Sequence, residues 1–267
     1  MEVLYGLHPV EEAIRSGARA LDHVIVARDR KDERLERIIA LARLAGIRVA
    51  SDSREQMTRL AKTDAHQGVL AMVRERQFLG IEDFLAKKKA ASQEQVRHKF
   101  FLALDGVEDP HNLGALLRTA DAVAVDGVLI PERRSAPINA TVAKTSAGAS
   151  EHVKIARVTN LVRSLEQMKK ENVWVLGLDE RGSPDYMDFD FRTDCVLVLG
   201  REGAGLHDLV KKTCDHLLRI PMAGAVSSLN VSVAGAIVMY EAMRQRRETP
   251  EPRAMPAKAK IRKGLGS

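Results

Sequence analysis

Three stretches of the chain concentrate polar groups where an apolar strand gives way to a helix or a tight turn. In LDGVEDPHNLGALLRTA (104–120) an Asp-Pro turn leads through Asn112 into a helix, and Arg118 sits among Leu, Ala and Gly residues suited to burial. In VLGREGAGL (198–206) a strand enters a turn that holds Glu202 among Gly200, Gly203 and Gly205. In IPMAGAVSSLNVSVA (220–234) Ile220 and Met222 open a small-residue loop, which enters the last helix through Ser227, Ser228, Leu229 and Asn230. Each stretch has a plain reading: Asn112 and Ser228 suit helix N-caps, Arg118 can snorkel to solvent, and Glu202 can be an exposed turn residue. Each also has a chemical one. Glycines let backbone amides and carbonyls approach a flat ligand closely, at the carboxyl edge of a sheet where α/β proteins bind ligands. Gly114, one turn before Arg118, leaves open space on the same helix face.

Several chemistries are excluded by what is missing. No Lys-Ser/Thr follows the glycines, so the turn is not a phosphate-binding P-loop, and its G-x-x-G-x-G spacing is not the dinucleotide fingerprint. There is no G-x-S-x-G elbow for a serine hydrolase. Cys195 and Cys214 are the only cysteines and form no CxxC pair, and no HExxH accompanies them. No metal is expected, and both thiols should be reduced and partly buried.

The elements around these stretches alternate. KFFLALDGV, GVLIP, VKIARV, VWVLGLD, CVLVLG and HLLRIP are strand candidates from residue 99 onward. Their continuous Val/Ile/Leu runs predict strands buried on both faces of a mainly parallel sheet, the α/β class. SLNVSVAGAIVMYEAMRQRR predicts a closing helix with a cationic last turn, as the helix dipole prefers. Residues 1–76 read as a smaller α/β unit: strands at HVIVA, IRVAS and GVLAMV, and helices at 31–46 and SREQMTRLAK. In the first of these helices Leu35, Ile38, Ile39, Ala42 and Leu44/Ala45 form the apolar stripe, with Gly46 as C-cap. Residues 77–98, polar and lysine-rich at their centre, read as a linker with one short helix, 99–247 as the second domain, and 248–267 as a tail.

With 45% hydrophobic and 29% charged residues in 267, the chain has an ordinary globular composition and no apolar run of membrane-spanning length. MEVLYGLHPVEEAI has acidic residues where a secretory leader needs cations, so a cytoplasmic protein is expected, with no membrane partner. The net charge of +6 is carried by the chain end: residues 244–267 hold eight Lys/Arg against two Glu. This basic, Pro- and Ala-rich tail cannot fold alone; it reads as solvated disorder or as an arm for a polyanion such as RNA.

Taken together and in this order, DPHNLGALLRTA, VLVLGREGAGL and IPMAGAVSSLNVSVA resemble the three motifs of the SpoU/TrmH branch of the SPOUT methyltransferases. The resemblance covers about residues 2–247, and YGLHPVEEAI with the overall layout is most similar to bacterial members that methylate a guanosine ribose in 23S rRNA. It implies an α/β sheet whose C-terminal segment is threaded into a trefoil knot, preceded by a small L30e-like domain that binds the RNA substrate. It implies S-adenosylmethionine as cofactor, held by Gly200, Ile220 and Leu229 and lined by Gly203, Gly205 and Met222. The catalytic set carried over is Asn112, Arg118, Glu202, Ser228 and Asn230. The family proposal makes the arginine a base; a guanidinium with a pKa above ~12 is physically easier to accept as a charged phosphate clamp. A homodimer, and 23S rRNA or its precursor as partner, with a target in the peptidyl-transferase P loop, are further expectations. Methylation of tRNA or of another rRNA site, and a non-catalytic role in ribosome assembly, stay open.

Overall fold

The computed structural model describes residues 1–86 and 98–247. The lysine-rich centre of the expected linker and the basic tail from 248 lie outside the described residues.

The first unit comprises β1 (Glu2–Tyr5), α1 (Leu7–Ser16), β2 (Leu21–Ala27), α2 (Glu33–Leu44), β3 (Arg48–Asp52), α3 (Arg54–Ala61) and β4 (Val69–Val73). Its sheet runs β1-β4-β2-β3; β4 is antiparallel to both neighbours, while β2 and β3 are parallel. A parallel pair needs a crossover, and α2 supplies it. Asp32 caps α2 by accepting the Leu35 N–H at 3.1 Å, and Leu35, Ile38 and Ala42 face the core. Leu44, expected on that stripe, is 87% exposed. At about 100° per residue it lies half a turn out of phase with Leu35.

The second unit comprises α4 (Ile81–Leu85), β5 (Phe100–Leu104), α5 (Pro110–Ala122), β6 (Gly127–Pro131), α6 (Ala140–Thr145), β7 (Ile155–Val158), α7 (Leu161–Lys170), β8 (Trp174–Leu178), β9 (Cys195–Leu199), α8 (Asp208–Thr213), β10 (His216–Leu218) and α9 (Val231–Arg247). Its six strands are all parallel, in the order β10-β8-β9-β5-β6-β7. Every residue of β5 and β9 is buried, as strands covered on both faces must be. Leu102 and Leu197 pack with Leu116 of α5 and Met239 of α9 on one face; Ala103 and Val196 pack with Leu165 of α7 and Val210 of α8 on the other. The chain moves outward from β5 through β6 to β7, then returns to place β9 on its other side. Ligands in open α/β sheets bind at such a reversal.

The described start of the expected linker is part of this second core. Leu79 N–H bonds to Ile155 O at 3.0 Å, and Phe84 stacks on Phe101 with ring centroids 5.6 Å apart. Phe84 supplies an apolar anchor that the polar centre of the segment hides. The segment between β8 and β9 is bonded to β10 and α9: Asp179 N–H to Leu218 O, Phe191 N–H to Gln245 Oε1, and the Arg246 guanidinium to the carbonyls of Phe191 and Thr193.

Candidate active site

The helix α5 starts one turn's worth of capping earlier than its asparagine. Asp109 is the N-cap, accepting from the N–H groups of His111 at 3.2 Å and Asn112 at 3.1 Å, with Pro110 at the first helical position. The expected cap role for Asn112 is therefore filled by Asp109, and the Asn112 side chain is free for other partners. Asn112 is buried, and its Nδ2 donates to Glu202 Oε2 at 3.1 Å. Asn230 Nδ2 donates both to Asn112 Oδ1 at 3.0 Å and to Glu202 Oε1 at 2.9 Å. The three side chains close a triangle across the carboxyl ends of β5 and β9.

Asn230 also heads α9. Its carbonyl accepts the Ala234 N–H at 2.9 Å, and its Oδ1 accepts the Ser232 N–H at 2.9 Å and hydroxyl at 2.6 Å. The capping expected of Ser228 belongs to Asn230, two residues later, and Ser228 is exposed in the loop before it.

Arg118 stands apart. Six residues beyond Asn112, it lies about 240° round the helix. It is exposed and has no hydrogen-bond or ion-pair partner among the described residues. The open space expected beside Gly114 is filled: a Cβ there would lie 1.9 Å from Thr145 Oγ1 and 3.0 Å from Ser146 N. Gly114 lets α6 cross α5 closely, so the space beside Gly114 itself is closed, while Arg118 one turn on is exposed.

A cleft of about 430 Å³ opens at the carboxyl ends of β8, β9 and β10. It is lined by Gly200, Gly203, Gly205, Ile220, Met222 and Leu229, together with Glu202 and Ser228. Asn112 and Asn230 connect to it through Glu202. The glycine loop is closed by paired backbone bonds between Arg201 and Gly205, at 3.0 and 2.9 Å. Gly203 and Gly205 hold φ of +72° and +67°, which favours glycine, and both face open space. Residues 221–229 make no backbone hydrogen bond within the protein among the described residues, so their amides and carbonyls are free for a ligand. Leu199, Ile220 and Leu229 give apolar walls, while Asp179, Glu180, Glu202 and Asp208 set carboxylates around them. Arg181, Arg201 and Lys211 line the same cleft, so its charge is mixed; what it offers a flat heterocycle is exposed backbone groups between apolar walls.

Two pairs that fix this cleft carry no motif signature. Asp105, buried at the end of β5, accepts the His207 N–H at 2.7 Å and meets its Nδ1 at 2.9 Å, tying the far end of the glycine loop to the central strand. Lys211 Nζ donates to Asp179 Oδ2 at 2.7 Å. Burial alone would raise the Asp179 carboxyl; the Lys211 ammonium and the Arg181 amide outweigh it and hold the group below the ordinary aspartate range. An acid at the carboxyl end of an apolar strand, as in LALDG, is the signal that could have found Asp105. Neither cysteine lines the cleft, and burial pushes each thiol up to about 12.

A doubly covered parallel sheet with a backbone-lined cleft at its carboxyl edge defines an α/β enzyme that takes a small organic ligand. Residues 99–240 match the SpoU rRNA methylase family, and residues 3–79 match the RNA 2′-O ribose methyltransferase substrate-binding family. The chain belongs to the SpoU rRNA methylase family. It is 40% identical over 250 residues to the 23S rRNA (guanosine-2′-O-)-methyltransferase RlmB of Ralstonia nicotianae, covering 93% of this chain and 98% of that protein. It is equally 40% identical over 250 residues to YacO of Bacillus subtilis, which is assigned by name to the TrmH family of tRNA/rRNA methyltransferases, covering 94% of this chain and 98% of YacO. The AdoMet-bound rRNA methyltransferase from Sinorhizobium meliloti superposes with a TM-score of 0.71 at 27% identity, covering 91% of this chain and 87% of that one.

Proposed function

We propose that this chain transfers the methyl group of S-adenosylmethionine to the ribose 2′-hydroxyl of a guanosine in 23S rRNA, in the peptidyl-transferase P loop. The observation that carries the reading is the Asn112–Glu202–Asn230 triangle closing a cleft whose lining suits that cofactor. When bound, S-adenosylmethionine supplies an electrophilic methyl on a cationic sulfur, and that charge is lost as the methyl moves to oxygen. The protein's task is then to position the ribose while its 2′-hydroxyl proton passes to water.

Gly200, Ile220 and Leu229 hold the adenosyl group largely by backbone, with Gly203, Gly205 and Met222 lining the same pocket. Asn112 and Asn230 orient the ribose. Glu202 holds both amides in place, and Ser228, exposed in the cleft wall, offers a hydroxyl to the substrate. Arg118, exposed and unpartnered, stays charged and takes the phosphate beside the target ribose, which polarises the 2′-hydroxyl. Residues 1–76, read as an L30e-like unit, select the RNA. The hydrogen bonds that join 179–193 to β10 and α9 support a trefoil knot in the C-terminal segment. Val233 and Tyr240, seven residues apart on α9 and exposed at 48% and 49%, support a homodimer that covers this face of the helix. Among the described residues no helix is long and apolar enough to cross a membrane, and the proposed rRNA substrate belongs to the cytoplasm.

Transfer of tritiated methyl from S-adenosylmethionine to 23S rRNA fragments, followed by mapping of ribose methylation, tests the reading. The expected product is a single 2′-O-methylguanosine in the P loop. Methylation of tRNA alone would favour the substrate that the name of YacO also allows, and no transfer to any RNA would leave an assembly factor. Arg118→Lys should keep weak RNA binding and lose most turnover; full turnover in that variant removes Arg118 from the mechanism.

A further inference from the structure

The amino-terminal unit sits on the catalytic unit through a buried charge cluster that the methyl-transfer chemistry does not use. Its centre is Glu151, in a short 3-10 turn (Ala149–Glu151) between α6 and β7. The Glu151 side chain is 1% exposed, and it faces two arginines of the other unit: Arg76, just past β4, and Arg19, just past α1. Arg76 Nη2 donates to Glu151 Oε1 at 2.6 Å, and Arg19 Nη1 lies 3.7 Å from the same oxygen. The two arginine side chains are only 9% and 5% exposed. Arg19 also bonds to the Glu2 carboxylate and, through Nε at 2.9 Å, to Arg74 O.

Contacts on either side of the cluster repeat the arrangement. His152 Nε2 lies 2.8 Å from Glu12 Oε2, and Lys144 Nζ donates to Ala65 O at 3.0 Å. Ala143 of α6 is buried within the core of the amino-terminal unit. At Gly148 a Cβ would lie 2.7 Å from Glu12 Cβ and 3.2 Å from His8 O, so α1 approaches as closely as a glycine permits. Domains joined by small polar interfaces move relative to one another by default. Here the Arg76 guanidinium has left water for a carboxylate of the opposite unit, with Arg19, held by Glu2, close beside it, and a buried pair of this kind is strongly disfavoured once a partner is removed.

We propose that Glu151 is a positioning residue that locks the amino-terminal unit onto the catalytic unit and thereby sets which nucleotide reaches the methyl donor. The lock acts on α6, which crosses α5 at Gly114, and α5 carries Asn112 and Arg118. An RNA held by the first unit is thus presented to the cleft at a fixed distance, and specificity becomes a matter of geometry between two sites. The specificity half of the inference rests on the RNA methylation reading; the docking half does not.

Three full-length proteins test it: wild type, Glu151→Ala, and the triple variant Arg19→Met/Arg76→Met/Glu151→Leu, which replaces the charges by an apolar contact of similar bulk. Small-angle X-ray scattering reads the docking. S-adenosylmethionine calorimetry, steady-state kinetics on a 23S rRNA fragment and ribose-methylation mapping read its consequence. Glu151→Ala should scatter as a more extended particle, raise KM for RNA at least ~10-fold, keep cofactor affinity within ~twofold, and spread methylation to neighbouring riboses. The triple variant should regain the compact particle and the single product. Wild-type scattering, RNA KM and product in Glu151→Ala would overturn the proposal, as would a folded triple variant that regains neither. If Glu151→Ala does not fold, Glu151→Gln, which keeps an acceptor for Arg76, takes its place with a smaller shift of the same sign. If wild type methylates no RNA, the scattering comparison still decides whether the units are locked.

Discussion

Gly200 closes β9 and turns the chain into the glycine loop, and its α-carbon faces backbone rather than side chain. A methyl there would lie 2.2 Å from the Gly205 carbonyl carbon, 2.4 Å from Leu206 N and 2.5 Å from Gly205 O. Carbon atoms settle at ~3.5–4.0 Å, so Gly200→Ala requires the 201–206 loop to retreat by roughly 1.3 Å or more. No rotamer relieves this, and the loop is pinned by the Arg201–Gly205 backbone pair and by Asp105 on His207. Overpacking of this kind costs about 1–3 kcal/mol. If about 1.4 kcal/mol of it must be met to restore the binding geometry, cofactor affinity falls tenfold. Calorimetry should find the S-adenosylmethionine Kd raised at least ~10-fold, with the Tm lowered by about 2–4 °C per kcal/mol and the circular dichroism unchanged. Gly46→Ala is the control: at φ +71° with nothing within 4 Å, and outside the lining of the cleft, it meets only the left-handed backbone penalty and no clash. Its affinity should stay within ~threefold of wild type, since a penalty present in free and bound forms alike cancels. Wild-type affinity in Gly200→Ala, or equal losses in both variants, would refute close backbone approach as the way this loop holds its ligand.

Gly114→Ala should lower stability by about 1–3 kcal/mol in urea titration, because the new methyl displaces Thr145 Oγ1 from its bonds to Pro110 O and Thr141 O. Adding Thr145→Ala should recover part of the loss, and an unchanged midpoint in the single variant would mean that α5 and α6 do not cross at this glycine. Cys195 and Cys214, with thiols pushed up to about 12, carry little thiolate at pH 8. The thiolate fraction rises only as pH climbs toward that value, so iodoacetamide should label the native protein far more slowly than free cysteine and accelerate once urea unfolds it. Labelling of the native protein at the free-cysteine rate would contradict the burial of both sulfurs.

The strands were legible because their signal is local. CVLVL and FFLAL are unbroken apolar runs of strand length, and both lie fully buried in the parallel sheet. The caps were legible in kind and displaced in position. Asp109 and Asn112 both obey the N-cap rule within one turn, and Pro110 decides between them, since proline belongs at the first helical position and makes its predecessor the cap. Leu44 was misplaced for a different reason: a stripe read residue by residue drifts out of phase by the end of a helix. The joining of the two units was not legible at all. Glu151 lies 75 residues from Arg76 in sequence, and nothing in the SAGASEH stretch distinguishes it from a solvent-facing turn.

What brings the candidate site together is strand order. Asn112 and Glu202 are 90 residues apart, and Asn112 and Asn230 are 118 apart; they meet because β9 returns to lie against β5. The N-termini of α5 and α9 then both point toward Glu202, and the positive ends of two helix dipoles favour a carboxylate there. Because Asp109 caps α5, Asn112 is free to reach that carboxylate; because Asn230 caps α9 through its oxygen, its nitrogen is left for the other two members. Each side chain of the triangle is therefore oriented by the remaining pair. Removing any one takes a partner from each of the other two, so the three should fail as a unit and not as independent contributors.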